Sequence, residues 1–130
     1  MDFDHLDDRR GEAPAEHPAR FQGDARIQAL PQAVTGAAVF AVHFDAGGRS
    51  RPHVHRGGQI LVVTSGRGVV GDEGGRRQVG PGDIIAAAPG EWHWHGATPD
   101  SPMTHVTVQS GTDDTIDWDV DERDWADGYR

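Results

Sequence analysis

Short apolar runs separated by glycine-rich turn signals constrain the fold of this chain more than any other feature. From Ala25 onward such a signal recurs about every eight to twelve residues, as in residues 73–75 and 80–83. Regular spacing of this kind predicts a β-sandwich or a β-barrel. The 18 glycines and 8 prolines in 130 residues also suit a fold with many tight turns better than a helical bundle.

The apolar runs between these turns predict a series of short strands. They cover residues 26–30, 37–44, 50–55, 59–64, 68–71, 76–79, 83–87, 92–96 and 103–109. In residues 37–44 both alternating faces are largely apolar. We therefore expect this strand to be covered on each side, by a second sheet or by a partner chain.

Three stretches of different composition divide the chain. Residues 1–24 are polar, contain Pro14 and Pro18 and show no periodicity, which predicts an extended or disordered arm. Residues 25–110 are predicted to form the barrel. Residues 111–130 form an acidic tail, in which residues 121–129 are predicted to fold into one short helix that docks its aromatic side chains on the barrel or on a second subunit.

Composition excludes several kinds of chemistry and partner. The sequence has no cysteine, which rules out thiolate ligands and nucleophiles, and no lysine, which rules out Schiff-base catalysis by a side-chain amine. The formal net charge of −9 disfavours a nucleic-acid partner, because phosphate binding needs clustered positive charge. No signal peptide pattern and no apolar run near the roughly 20 residues of a membrane span are present, so we expect a cytoplasmic protein without membrane contact.

Two histidines spaced two residues apart are the strongest functional signal. Because side chains alternate across a strand, His53 and His55 are predicted to point to the same side, where both can bind one metal ion. Gln59 follows a Gly-Gly turn that can bring the next strand back beside the first, and His93 lies in a second histidine-rich strand. Three neutral imidazoles and one neutral amide leave the full charge on the ion, so this set predicts a metal Lewis acid.

The second histidine-rich strand carries two histidines on the same face. His93 and His95 would both line the barrel interior if that strand is regular. His95 is therefore a candidate for the pocket wall or for a hydrogen-bond partner behind the metal ligands.

The last predicted strand places three polar side chains, His105, Thr107 and Gln109, on one face. If that face points into the barrel, His105 is a candidate general base, because an unperturbed imidazole titrates close to neutral pH. The alternative is that this face is exposed and that Val106 and Val108 form the core.

The spacing of these residues resembles the two sequence motifs of the cupins. The first cupin motif, Gly-x5-His-x-His-x3-Glu-x6-Gly, is matched by Gly47, His53, His55, Gln59 in the glutamate position, and Gly66. The second, Gly-x5-Pro-x-Gly-x2-His-x3-Asn, is matched by Gly82, Gly90 and His93, with Ala88 in the proline position and Ala97 in the asparagine position. The resemblance implies an all-β cupin fold, a double-stranded β-helix or jelly-roll barrel. It also implies a divalent metal ion whose ligands are His53, His55, Gln59 and His93.

A closer resemblance is to the bacterial metal-dependent cupin hydroxynitrile lyases and their uncharacterised relatives. It rests on residues 90–97, 103–105, Gln109 and residues 116–118, and it covers most of the chain from about Phe21 onward. Those lyases bind manganese or iron through three histidines and one glutamine, so either metal is expected here, with zinc, nickel and cobalt as alternatives. The resemblance implies that His105 acts as the base, that Ser50 and Gln109 form hydrogen bonds to the substrate, and that Phe40 and Val42 line the pocket together with His95.

Three functions are compatible with this set of residues. The preferred one is a metal-dependent lyase that acts on a small oxygenated molecule, with His105 taking the proton of its hydroxyl group. The alternatives are a metal-dependent cupin dioxygenase and a non-catalytic cupin that binds a small ligand. Cupin barrels of this size usually pair through their sheets, so a homodimer or homotetramer is expected.

Overall fold

Two five-stranded antiparallel sheets form the barrel, and both supply side chains to its core. The computed structural model describes residues 1–14, 19–111 and 115–129, so residues 15–18 of the predicted arm and residues 112–114 and 130 of the predicted tail lie outside the described part. The strands are β1 Phe21–Gln22, β2 Ala25–Ala29, β3 Ala37–Phe44, β4 Arg49–Ser50, β5 Val54–His55, β6 Gln59–Gly66, β7 Gly68–Asp72, β8 Gly75–Val79, β9 Ile84–Ala87, β10 Trp94–Ala97, β11 Met103–Ser110 and β12 Ile116–Asp117.

The strand order mixes early and late parts of the chain. The first sheet has the order β1-β4-β10-β7-β8, the second has the order β2-β3-β11-β6-β9, and a separate two-stranded sheet joins β12 to β5. The predicted all-β class is thus confirmed. Within the described residues, no helix is long and apolar enough to cross a membrane.

The pairing register decides which side chains of the second sheet face the core. On β3 and β11, Val42 lies opposite His105 and Phe40 lies opposite Thr107, so these four side chains share the inner face. His105 and Thr107 are fully buried. Val106 and Val108, which alternate with Thr107 along β11, are only half-buried. The interpretation in which Val106 and Val108 form the core is therefore wrong.

The strand predicted over residues 50–55 is wrong in one respect, because it is divided into β4 and β5. Pro52 lies between the two strands and has no backbone N–H to donate to a ladder. His53 instead forms an isolated bridge with His93, in which each backbone N–H donates to the other residue's carbonyl at 3.0 and 3.2 Å. Two of the predicted metal ligands are therefore joined through their backbones.

Part of the predicted N-terminal arm contacts the barrel. Glu12 forms a bridge with Ile27 through two backbone hydrogen bonds of 3.1 and 2.8 Å. The Gln28 side-chain amide donates to the carbonyl of His5 at 2.8 Å. These contacts hold the described part of the arm against β2.

The tail is attached to the barrel through Trp125. Its indole Nε1 donates to the carbonyl of Ser50 at 2.9 Å, and the residue is buried. The predicted short helix is present as a single 3-10 turn, Trp125–Asp127, which is shorter than the predicted range of residues 121–129. Arg123 and Gly128 have φ angles of 51° and 69°, and this left-handed backbone ends helical geometry on either side of the turn.

Candidate metal centre

Three buried histidines converge at one point in the barrel interior. His53 and His55 come from the segment that contains β5, and His93 comes from the residues just before β10. One ring nitrogen from each histidine lies within 4.8 Å of the others. A cluster of this kind could bind a metal ion, as the spacing of His53 and His55 predicts.

Backbone carbonyls determine which ring nitrogens face the cluster. His53 Nδ1 lies 2.7 Å from the carbonyl oxygen of Arg51, and His93 Nδ1 lies 2.9 Å from that of Glu91. Because a carbonyl oxygen only accepts, each Nδ1 must carry the hydrogen. The Nε2 lone pair of each ring is therefore left to bind a cation, and metal-binding histidines are commonly oriented in this way.

Gln59, the first residue of β6, supplies a fourth donor atom. Its Oε1 lies 2.9 Å from His93 Nε2. Since the hydrogen of His93 is on Nδ1, both facing atoms are acceptors, and their lone pairs repel each other at this distance. A cation bound to both atoms would replace that repulsion with attraction, so the contact fits a metal site.

His55 is an independent sign of a ligand site. Both of its ring nitrogens are buried, and neither has a hydrogen-bond partner among the described residues. Leaving a buried polar atom without a partner costs roughly 1–3 kcal/mol. The Gln59 amide also lies close to His55, and a cation shared by His55, His93 and Gln59 would give all three side chains a partner at once. The donor set therefore fits a metal ion.

The three rings are held in the form that binds metals. Burial, followed by the nearby His93, lowers the pKa of His55 to about 4. Burial also lowers the pKa of His53 and of His93. All three imidazoles are therefore neutral at pH 7, with a lone pair available for a cation.

A small cavity lies beside the histidine cluster, with a volume of about 70 Å³. Most of the predicted site residues line its wall, namely Phe40, Val42, Ser50, His53, His55, Gln59, His95 and Gln109. The structure therefore brings most of the predicted site residues together around one cavity.

His105 is separated from the cavity by His95, which is a correction to its expected contact with substrate. His105 Nε2 lies 3.1 Å from His95 Nδ1, and His105 Nδ1 lies 3.1 Å from Thr107 Oγ1. Burial, with smaller contributions from nearby histidines, lowers the pKa of His105 to about 3. His95 Nε2 is buried without a hydrogen-bond partner in the described part of the chain.

Ser50 and Gln109 add hydrogen-bonding groups to the wall. Ser50 is fully buried, and its Oγ accepts the backbone N–H of His95 at 3.1 Å. This bond positions the strand that carries His95. Gln109 is also buried, and its Oε1 has no hydrogen-bond partner in the described ranges. The Gln109 side chain can therefore bind a polar group in the cavity.

Segments from both ends of the chain close the cavity, and sequence patterns did not reveal this. The additional wall residues are Pro14, Arg20, Phe21, Ile27, Ile116 and Trp118. The ring centroid of Trp118 lies 4.4 Å from that of His53, and Trp118 Nε1 is buried with no partner among the described residues. Residues 116–118 contribute to the resemblance described above. Their position beside the cavity, however, follows from the pairing of β12 with β5, and no periodic pattern in the sequence indicates that pairing.

Comparison with known proteins identifies the family. A family model described as a cupin domain matches residues 40–109, the part of the chain that contains all four predicted metal ligands and His105. This chain belongs to the cupin family, and the predicted cupin barrel is confirmed.

Particular relatives narrow the comparison. The chain is 42% identical over 112 residues, 83% of each sequence, to a protein from Granulicella tundricola named (R)-mandelonitrile lyase. It is 31% identical to a cupin-like protein from Thermotoga maritima, whose crystal structure superimposes with a TM-score of 0.76 over 89% of this chain and 88% of that one. A polyketide cyclase from Streptomyces resistomycificus has a TM-score of 0.74 at 16% identity over 94% of this chain and 89% of its own, a likeness of fold alone.

Proposed function

We propose that this protein is a divalent-metal-dependent lyase that splits a small 2-hydroxynitrile into a carbonyl compound and hydrogen cyanide. The observation that carries the proposal is the convergence of His53, His55, His93 and Gln59 beside a small cavity whose wall includes an unpartnered nitrogen of His95. The 42% identity to a protein named (R)-mandelonitrile lyase supports the same class of reaction.

Manganese or iron is the proposed metal, with zinc, nickel and cobalt as alternatives, because imidazole nitrogen and amide oxygen suit several divalent ions. His53, His55, His93 and Gln59 would hold it. When bound by these uncharged donors, the metal would supply Lewis acidity with its full charge uncompensated.

The paired imidazoles of His95 and His105 would handle the proton. Cleavage leaves the electron pair of the broken carbon–carbon bond on cyanide, while the hydroxyl group loses its proton and becomes the carbonyl. We assign the proton to His95 Nε2, which carries a lone pair when His95 Nδ1 donates to His105 Nε2. The same proton then passes to cyanide, so the overall charge is unchanged. His105 acts in this scheme as a positioning residue, because it orients His95 and does not contact the substrate.

The other wall residues would bind and orient the substrate. The Ser50 hydroxyl and the Gln109 amide would form hydrogen bonds to its polar groups. Phe40 and Val42 would contact its apolar part, since both are apolar side chains on the inner face of β3.

The direct test is cyanide release. Protein stripped of metal and reloaded with manganese or iron is expected to release cyanide from at least one member of a 2-hydroxynitrile panel, and the stripped protein and the His55→Ala variant are not. Absence of release from every member contradicts the proposal. Oxygen consumption with a dihydroxy-aromatic or diketone panel would instead indicate a dioxygenase, and ligand binding without turnover would indicate a binding protein.

We also propose a homodimer, or a homotetramer built from dimers, formed through the outer face of the second sheet. Aligned aliphatic side chains cover this face, including Val39, Ile60, Val62, Ile84, Val106 and Val108. Ile60 is 44% exposed and Ile84 is 70% exposed. A continuous apolar patch on a protein surface is typical of an interaction site, and a second copy presents a surface of the same chemistry.

A further inference from the structure

The cavity is small compared with an aromatic substrate. Its volume is about 70 Å³, whereas an engineered cavity of about 150 Å³ in another protein binds one benzene molecule. This cavity is about half that size, so a phenyl substituent on the reacting group is disfavoured more than a methyl substituent. An aromatic hydroxynitrile must place a whole ring, a hydroxyl group and a nitrile group in that space.

The aromatic walls of the cavity are fixed by the fold. Phe40 lies on β3, which pairs with β2 on one side and with β11 on the other. The ring of Phe21 packs between those of Phe44 and Trp118, with centroids 6.0 Å away in each case. Trp118 directly follows β12, whose pairing with β5 ties it to His55. These contacts hold the aromatic side of the wall in place, so they support a size limit on the substrate.

Polar atoms in the wall define what a ligand must offer. Gln109 Oε1 and Trp118 Nε1 are both buried without a hydrogen-bond partner in the described part of the chain. An amide oxygen only accepts and an indole N–H only donates. A fitting ligand therefore carries both a donor and an acceptor. A short hydroxynitrile has both, since its hydroxyl group donates and its nitrile nitrogen accepts.

We propose that the substrates are short aliphatic 2-hydroxynitriles such as lactonitrile, and that Phe40 and Trp118 exclude aromatic ones. The inference rests on the proposed lyase function for the reaction and on the cavity for the class of substrate.

The test compares lactonitrile with mandelonitrile, which share the reacting group and differ in a methyl against a phenyl substituent. The full chain loaded with manganese is expected to show a kcat/KM for lactonitrile that is roughly tenfold or more above that for mandelonitrile. Phe40→Ala and Trp118→Ala should each lower this ratio by a similar factor, because they open the wall. Phe3→Ala is the matched control, since Phe3 is 91% exposed and lies outside the cavity wall.

A binding measurement separates failure of this inference from failure of the lyase proposal. Calorimetry on the manganese-loaded protein should show lactate binding roughly tenfold or more tightly than mandelate, whether or not any nitrile is cleaved. If no nitrile is cleaved but lactate is preferred, the lyase proposal fails and the size limit stands. The inference is overturned if mandelate binds as tightly as lactate, or if mandelonitrile reacts as well as lactonitrile. It is also overturned if the protein neither binds lactate nor cleaves lactonitrile. Where Phe40→Ala does not fold by circular dichroism, Phe40→Val replaces it.

Discussion

Acidification should destabilise the metal-free protein, because its interior holds neutral histidines. Burial sets the pKa of His55 at about 4 and that of His105 at about 3, against an ordinary value of 6.5. As the pH falls below 6.5, the unfolded chain takes up protons that the folded protein does not. Stability therefore rises with pH across this window: it is full above about pH 6.5 and is lost progressively towards the folded-state pKa values.

The size of the loss follows from these pKa values. At pH 5 each ring is almost fully protonated in the unfolded chain and largely neutral in the folded protein, a difference of about 1.5 pH units that corresponds to about 2 kcal/mol. His55 and His105 together therefore remove about 4 kcal/mol between pH 8 and pH 5, a large part of the 5–15 kcal/mol typical of a folded domain. The pKa of His53, of His93 and of His95 is also lowered by burial, so these rings act in the same direction.

Urea denaturation followed by circular dichroism at pH 8, pH 6.5 and pH 5 measures this effect on the stripped protein. The free energy of unfolding is expected to fall by about 4 kcal/mol or more across the range. His105→Gln should reduce that fall by about 2 kcal/mol. His5→Gln is the matched control, because His5 is exposed, and it should leave the fall unchanged. A free energy of unfolding that is the same at pH 8 and pH 5 would refute the assignment of these rings as neutral and buried.

Other substitutions test the metal centre, the tail and the outer sheet face. Gln59→Ala removes the fourth donor, so the manganese content measured by elemental analysis should fall. Gln59→Glu keeps a donor oxygen at this position and should keep the manganese content. Equal manganese content in the Ala variant and the wild type would contradict the donor role of Gln59. Trp125→Ala should lower the free energy of unfolding in urea by about 3–5 kcal/mol, because Trp125 is 4% exposed and the Arg49 guanidinium lies 3.9 Å from its ring centroid. Trp125→Phe should cost less, and an equal cost would show that the ring does not contribute. Ile84→Arg places a charge on the proposed dimer face and should give monomers by light scattering that remain folded by circular dichroism. A monomeric wild type would contradict the dimer.

Alternation along strands was sufficient to predict which histidines face inward. His53 and His55 are both buried, while Val54 between them is half-buried and contacts a separate aromatic cluster. The period of two holds here although Pro52 ends the preceding strand, because the bridge between His53 and His93 keeps the backbone extended. Side-chain direction is a local property, so the sequence alone carries it.

The order of side chains across the barrel could not be predicted in the same way. His95 lies on β10 of the first sheet and His105 on β11 of the second, and both face inward. Periodicity assigns each residue to a face, but it does not say which of two facing residues reaches the cavity. Trp118 presents the same difficulty, since its position depends on a pairing between distant segments. Both cases are set by tertiary packing and not by local pattern.

The charges around the cavity connect the donor set to the proposed reaction. Its described wall includes the guanidinium-bearing Arg20 and no carboxylate, and the histidines of the centre are neutral because burial lowers the pKa of each. A divalent ion held by neutral donors would therefore keep its charge, and negative charge that develops in the cavity would meet no opposing carboxylate in that wall. Such a site favours bond cleavage that leaves an electron pair on a departing anion. Release of cyanide from a hydroxynitrile is a reaction of that kind, which is why replacement of the glutamate in the first cupin motif by Gln59 bears directly on function.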